Sequence, residues 1–107
     1  MITVYLSGKI TGLDKEEYTR NFMRAEDFYK SCGYNVVNPV TISEKVLASN
    51  PAATYEDFMA ADLEALKSCT HIVMLEDCES SKCARREKAE AEQMGLEIMY
   101  FKSLCRE

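Results

Sequence analysis

The sequence has 107 residues, 13 Lys plus Arg against 18 Asp plus Glu, and a net charge of −5, so it has room for one domain and lacks the clustered positive charge that a nucleic-acid polymer demands. Hydrophobic residues make up 47% and charged residues 29%, which excludes an intrinsically disordered chain. No apolar run reaches the ~20 residues of a membrane span, so no membrane partner is expected.

Residues 1–7 (M-I-T-V-Y-L-S) are β-branched and aromatic-rich and end at Gly8, the pattern of a buried strand. A loop with glycines at 8 and 12 follows. From Asp14, Tyr18, Phe22, Ala25, Tyr29 and Cys32 recur at helical spacing, with Asp14 at the N-cap and Gly33 just past the end. Residues 34–37 form a second strand that stops at Asn38-Pro39. Residues 40–53 have no clear period and contain Pro51; they read mostly as a long connection, with room for a short helix over 42–48. Thr54 and Asp57 form a capping box for a second helix to about residue 68. Residues 71–75 (H-I-V-M-L) are a third strand, and 76–80 a polar loop. A third helix spans about 81–94 and ends at Gly95, and 97–101 form a fourth strand.

This alternation predicts right-handed crossovers and one α/β domain over residues 1–107. The expected fold is a flavodoxin-like three-layer sandwich with a short parallel sheet in the order 2-1-3-4. Ligands of such sheets bind beyond the carboxyl ends of the strands at the switch point. That nominates two loops: residues 7–12, with Ser7, Gly8 and Lys9, and residues 76–81.

Two acids fall on apolar faces. Asp62 lies in line with Phe58 and Leu66, and Glu87 in line with Ala84, Ala91 and Met94. Either the helices are rotated slightly and both acids reach solvent, or the two carboxyls share a cleft. A shared cleft would suit nucleophilic and acid/base work on a glycosidic bond, because burial raises carboxyl pKa values and splits their roles. Ser80, Ser81 and Lys82 open the third helix, whose free N–H groups favour either plain capping or an anion. Lys9 and Thr11 either face the same anion or lie in an ordinary solvated turn, and on their own they read as the turn. Tyr18, Phe22, Phe28 and Tyr29 read as core and interface, and the methionines as packing.

The five cysteines, Cys32, Cys69, Cys78, Cys83 and Cys105, are odd in number and contain no C-x-x-C pair. With no basic, apolar leader, a cytoplasmic location and free thiols are expected. Cys78 and Cys83 are the closest pair for a thiol redox alternative. A lone histidine, His71, argues against zinc; no metal or cofactor is expected.

Y-L-S-G-K-I-T-G (5–12), Asn38-Pro39, D-F-M-A-A-D-L-E-A-L (57–66) and S-K-C-A-R-R-E (81–87) resemble, in order, the nucleoside 2-deoxyribosyltransferase superfamily. The closest branch is one of small uncharacterised prokaryotic and phage domains. The resemblance implies a flavodoxin-like fold and cleavage of the N-glycosidic bond of 2′-deoxynucleosides or their 5′-monophosphates. By resemblance, Glu87 is the nucleophile, Asp62 assists the base, and Tyr5 is the aromatic hydroxyl beside them. Ser81 stands six residues before Glu87 (87 − 81 = 6). Serine there matches the 5′-monophosphate hydrolases, whereas transferases of free nucleosides carry aspartate. Cys83 and Arg85 depart from family glycines, and His71 from a family aspartate; His71 reads as a strand-end residue. The C-terminal segment that the transferases insert into a neighbour has no evident counterpart, which favours water as acceptor. The expected partners are a deoxynucleotide or nucleoside and further copies of the chain, as a homodimer or higher homo-oligomer. The alternative is a non-catalytic nucleotide-binding module on the same fold.

Overall fold

The computed structural model describes residues 2–10, 12–75 and 81–101, without the Cys83 side chain. Strand β1 (Thr3–Ser7) is followed by α1 (Lys15–Ser31), β2 (Asn35–Val37), α2 (Pro39–Ser49), α3 (Tyr55–Leu66), β3 (His71–Met74), α4 (Lys82–Met94) and β4 (Glu97–Tyr100). The four strands form one parallel sheet in the order β2-β1-β3-β4, with Tyr5 opposite Val37 on one side and Ile72 on the other. The order and the helical layers agree with the expected flavodoxin-like α/β fold. Among the described residues no helix is long and apolar enough to cross a membrane.

The sheet separates two apolar clusters because successive strand residues point to opposite faces. Val4, Leu6, Val73 and Leu75 pack with Phe22, Ala25 and Tyr29 of α1 and with Val40. Tyr5, Ile72 and Met74 pack on the other face with Leu66, Cys69, Ala84 and Ala91. Each large apolar side chain removed from water contributes about 1.5–3 kcal/mol. Met59 and Met74 are buried as expected, whereas Met23 and Phe28 are about half exposed, at 51% and 47%.

Helix ends follow the sequence closely. Asp14 occupies the α1 N-cap but makes no side-chain cap bond; Glu16 and Glu17 in the first turn supply the favourable charge instead. Thr54 and Asp57 close a capping box at α3. Gly95 ends α4 at φ 82°, in the left-handed region.

The expected connection over residues 40–53 is a correction. Its first ten residues, with Pro39, form the 11-residue helix α2. Asn38 caps it by accepting from the Val40 N–H at 2.9 Å, and Pro39 takes the first helical position, where a missing N–H costs nothing. Asn38-Pro39 therefore starts a helix as well as stopping a strand. Asn38 also donates to Glu26 of α1 at 2.9 Å, which braces α2 against α1.

Candidate active site

β1 is the floor of the site. Tyr5 and Ser7 are two residues apart and fully buried, so both side chains leave the same face of the strand. α4 crosses that face through Ala84, Glu87 and Ala91, which are 0–3% exposed. Glu87 is thereby set down onto the two β1 hydroxyls. Tyr5 donates to Glu87 Oε2 at 2.8 Å and Ser7 donates to Glu87 Oε1 at 2.6 Å. Asp62, 8% exposed, comes from the inner face of α3. Both acids are buried, so the solvent-facing alternative for these helices does not hold.

Burial has a different outcome for the two acids. It pushes Asp62 up, the Glu87 charge pushes it further, and the carboxyl reaches about 8. Burial also raises Glu87, but hydrogen bonds from Ser7, Tyr5 and Asp62 pull it back. Tyr5 is raised well above its ordinary value by burial and the two acids, so it stays a donor. Both carboxyls thus stand above their ordinary values and titrate as one pair. Asp62 Oδ1 is buried and has no hydrogen-bond partner among the described residues.

A cleft of about 260 Å³ opens over the pair. Asp62, Glu87, Ser81 and Gly8 form its polar end, and Ile10, Tyr18, Pro39, Leu47, Tyr55 and Phe58 its apolar wall. Of that wall only Ile10 lies in a loop nominated from the sequence. Tyr18 reads as core from its spacing but lines the cleft, and Pro39 and Leu47 arrive with α2. Ser81 caps α4 by accepting from the Ala84 N–H at 3.1 Å, which leaves its own O–H proton for a ligand. A Cβ on Gly8 would lie 2.9 Å from Leu75, so glycine lets the backbone pass this close to that side chain.

The other nominated residues are more scattered. Tyr5 and Ser7 lie behind Glu87 and do not line the cleft. Lys9 is half-buried beside Gly8, and Lys82 is exposed with its ammonium 5.7 Å from the Tyr55 ring centre; neither lines the cleft. Arg85 is exposed. Thr11, Ser80, Cys78 and Cys105 lie outside the described residues. Cys69 is buried and its thiol is pushed up by burial, the reverse of a reactive thiol, while Cys32 is exposed. His71 begins β3, at the end of the sheet opposite the cleft, and its Nδ1 lies 2.7 Å from Thr70 Oγ1. Among the described residues no group of three His, Cys, Asp or Glu could hold a metal ion.

No curated protein matches this sequence. A solved structure, the 2-deoxyribosyltransferase of the psychrotolerant bacterium Bacillus psychrosaccharolyticus, superposes with a TM-score of 0.70 over 94% of this chain and 72% of that one. The two are 18% identical, so the likeness is one of fold. Residues 2–100 match the family described as Domain of unknown function (DUF4406). Nearly the whole described fold lies inside that match, and the chain belongs to this family.

Proposed function

We propose that the chain is an N-glycosidase that cleaves a 2′-deoxynucleoside 5′-monophosphate and passes the deoxyribosyl group to water. The observation that carries this reading is the Glu87–Asp62 pair, two buried carboxyls that line one cleft. The fold of a 2-deoxyribosyltransferase supports glycosyl chemistry on nucleosides.

In this mechanism the Glu87 carboxylate attacks the anomeric carbon and forms an ester bond. The C–N bond breaks, its electron pair goes to the base nitrogen, and Asp62 delivers the proton that neutralises it. Water then attacks the same carbon, returns a proton to Asp62 and frees Glu87 and deoxyribose 5-phosphate. Both steps pass through an oxocarbenium-like transition state. The 5′-phosphate docks at the start of α4, on the Ser81 hydroxyl and free N–H groups, beside Gly8. The base occupies the apolar wall. The same reading includes a homo-oligomer in the cytoplasm, since the sheet has edges at β2 and β4.

Chromatography of free base, after incubation with the four common deoxynucleoside monophosphates and their nucleosides, tests this. Base is expected from the monophosphates, more slowly from the nucleosides, and not with Glu87→Gln. Added free base that is incorporated would mark transfer. Tight nucleotide binding without base release would overturn the glycosidase reading in favour of a binding module.

A further inference from the structure

Ser7 sits among the residues nominated to bind substrate, yet no substrate can reach it. Its exposure is 0%, it does not line the cleft, and its single O–H points 2.6 Å to Glu87 Oε1. We propose that Ser7 is a positioning residue for Glu87: with Tyr5 it secures one carboxylate oxygen each, which fixes the carboxylate's orientation and favours its charged form. The catalytic consequence rests on the glycosidase reading; the hold on Glu87 does not.

The geometry explains why two hydroxyls are used. Leu6, between Tyr5 and Ser7, points into the opposite apolar cluster. The alternation of β1 thus delivers a long donor and a short one to the same face, and these reach different oxygens of one carboxylate. A buried carboxylate held by two neutral donors keeps lone pairs free for a third partner in the cleft. The titratable groups that face Glu87 are Tyr5 from β1 and Asp62 from α3, and Cys69 faces Tyr5. All three hold their protons at neutral pH. Ser7 is the one donor to Glu87 that carries no titratable proton of its own, so removing it changes the balance without changing the proton count.

The direct test is carboxyl NMR of protein labelled with carbon-13 at the glutamate side-chain carboxyl, with the Glu87 signal assigned by its loss in Glu87→Gln. The Glu87 titration midpoint is expected to rise in Ser7→Ala and to fall between the two in Ser7→Cys, whose S–H is a weaker donor. If Ser7→Ala does not fold, as judged by near-ultraviolet circular dichroism, Ser7→Cys alone decides. In kinetics on the most active deoxynucleoside monophosphate, Ser7→Ala is expected to lower kcat ~10- to 100-fold. KM should stay within about twofold, and the acid limb of the pH profile should move to higher pH. An unmoved midpoint in a folded variant, or a raised KM at unchanged kcat, would overturn the assignment. Should the wild type release no base at all, the midpoint still decides Ser7 and only the glycosidase reading is lost.

Discussion

Asp62→Asn should make the protein more stable and less active, and the stability gain should depend on pH. In the folded chain the Asp62 carboxyl titrates at about 8, against 3.8 when free. Between those values the folded state binds a proton that the unfolded state has released. Stability conferred on the wild type is therefore full below about 3.8 and is lost as pH rises through about 8. At pH 7 the chain has come about three units into that window. At 1.36 kcal/mol per unit, the cost of keeping Asp62 is on the order of 4 kcal/mol. Asparagine has nearly the same shape, carries no charge in either state and can still donate to Glu87, so it removes this cost. The gain should be small near pH 4, on the order of 1–2 kcal/mol at pH 5, and largest above pH 8.

Urea unfolding of wild type and Asp62→Asn at pH 4, 5, 7 and 8.5, followed by far-ultraviolet circular dichroism, measures it directly. The same variant should lose ~10²- to 10⁴-fold in base release, the range for removing a general acid. A pH-independent difference in stability, or a variant less stable than wild type at pH 8.5, would refute the assignment of the proton to Asp62.

Two further predictions concern the scaffold of the site. Gly8→Ala places a Cβ 2.9 Å from Leu75 Cδ1 and 3.0 Å from its Cβ, so it should cost about 1–3 kcal/mol of stability in urea, with a raised KM as the loop shifts into the cleft. Thr54→Ala removes half of the capping box that starts α3 and should cost about 1 kcal/mol. Because Asp62 sits two turns further along α3, kcat should be unchanged; a lost kcat would mean that this cap positions the acid.

The strand order and both acids were legible because they depend on local periodicity. Short β-branched and aromatic runs mark the strands, a period near 3.6 marks the helices, and a carboxylate in an apolar row is visible from its neighbours alone. α2 was not legible for a related reason. Its sequence, P-V-T-I-S-E-K-V-L-A-S, buries only Pro39 and Val40, so it has no apolar stripe to announce it. The proline that starts it reads equally well as the end of the strand before. Reading these residues mostly as a connection hid the part of the cleft lining that α2 brings, Pro39, Ser43 and Leu47. The Ser7–Glu87 bond was hidden differently. The two residues are 80 positions apart, and only the register of α4 across β1 brings them together. The resemblance to deoxyribosyltransferases supplied roles for Glu87, Asp62 and Tyr5, but carried no role for Ser7.

This placement explains why a small domain tolerates two acids in its interior. Among the described residues the buried charged side chains are Asp62 and Glu87, both on the α3–α4 face, so the α1 face is free to supply stability. The other face contributes Leu66, Ile72, Met74, Ala84 and Ala91 but gives up part of its packing to Tyr5, Ser7, Asp62 and Glu87. The division follows from β1 alone: Val4 and Leu6 serve one face, Tyr5 and Ser7 the other. A mutation that stabilises the site face by neutralising an acid acts on the chemistry, whereas one that improves the α1 face leaves the acid pair untouched. Stability and activity should therefore separate by face of the sheet, with gains on the α1 side neutral for kcat and gains at the carboxyl pair costly to it.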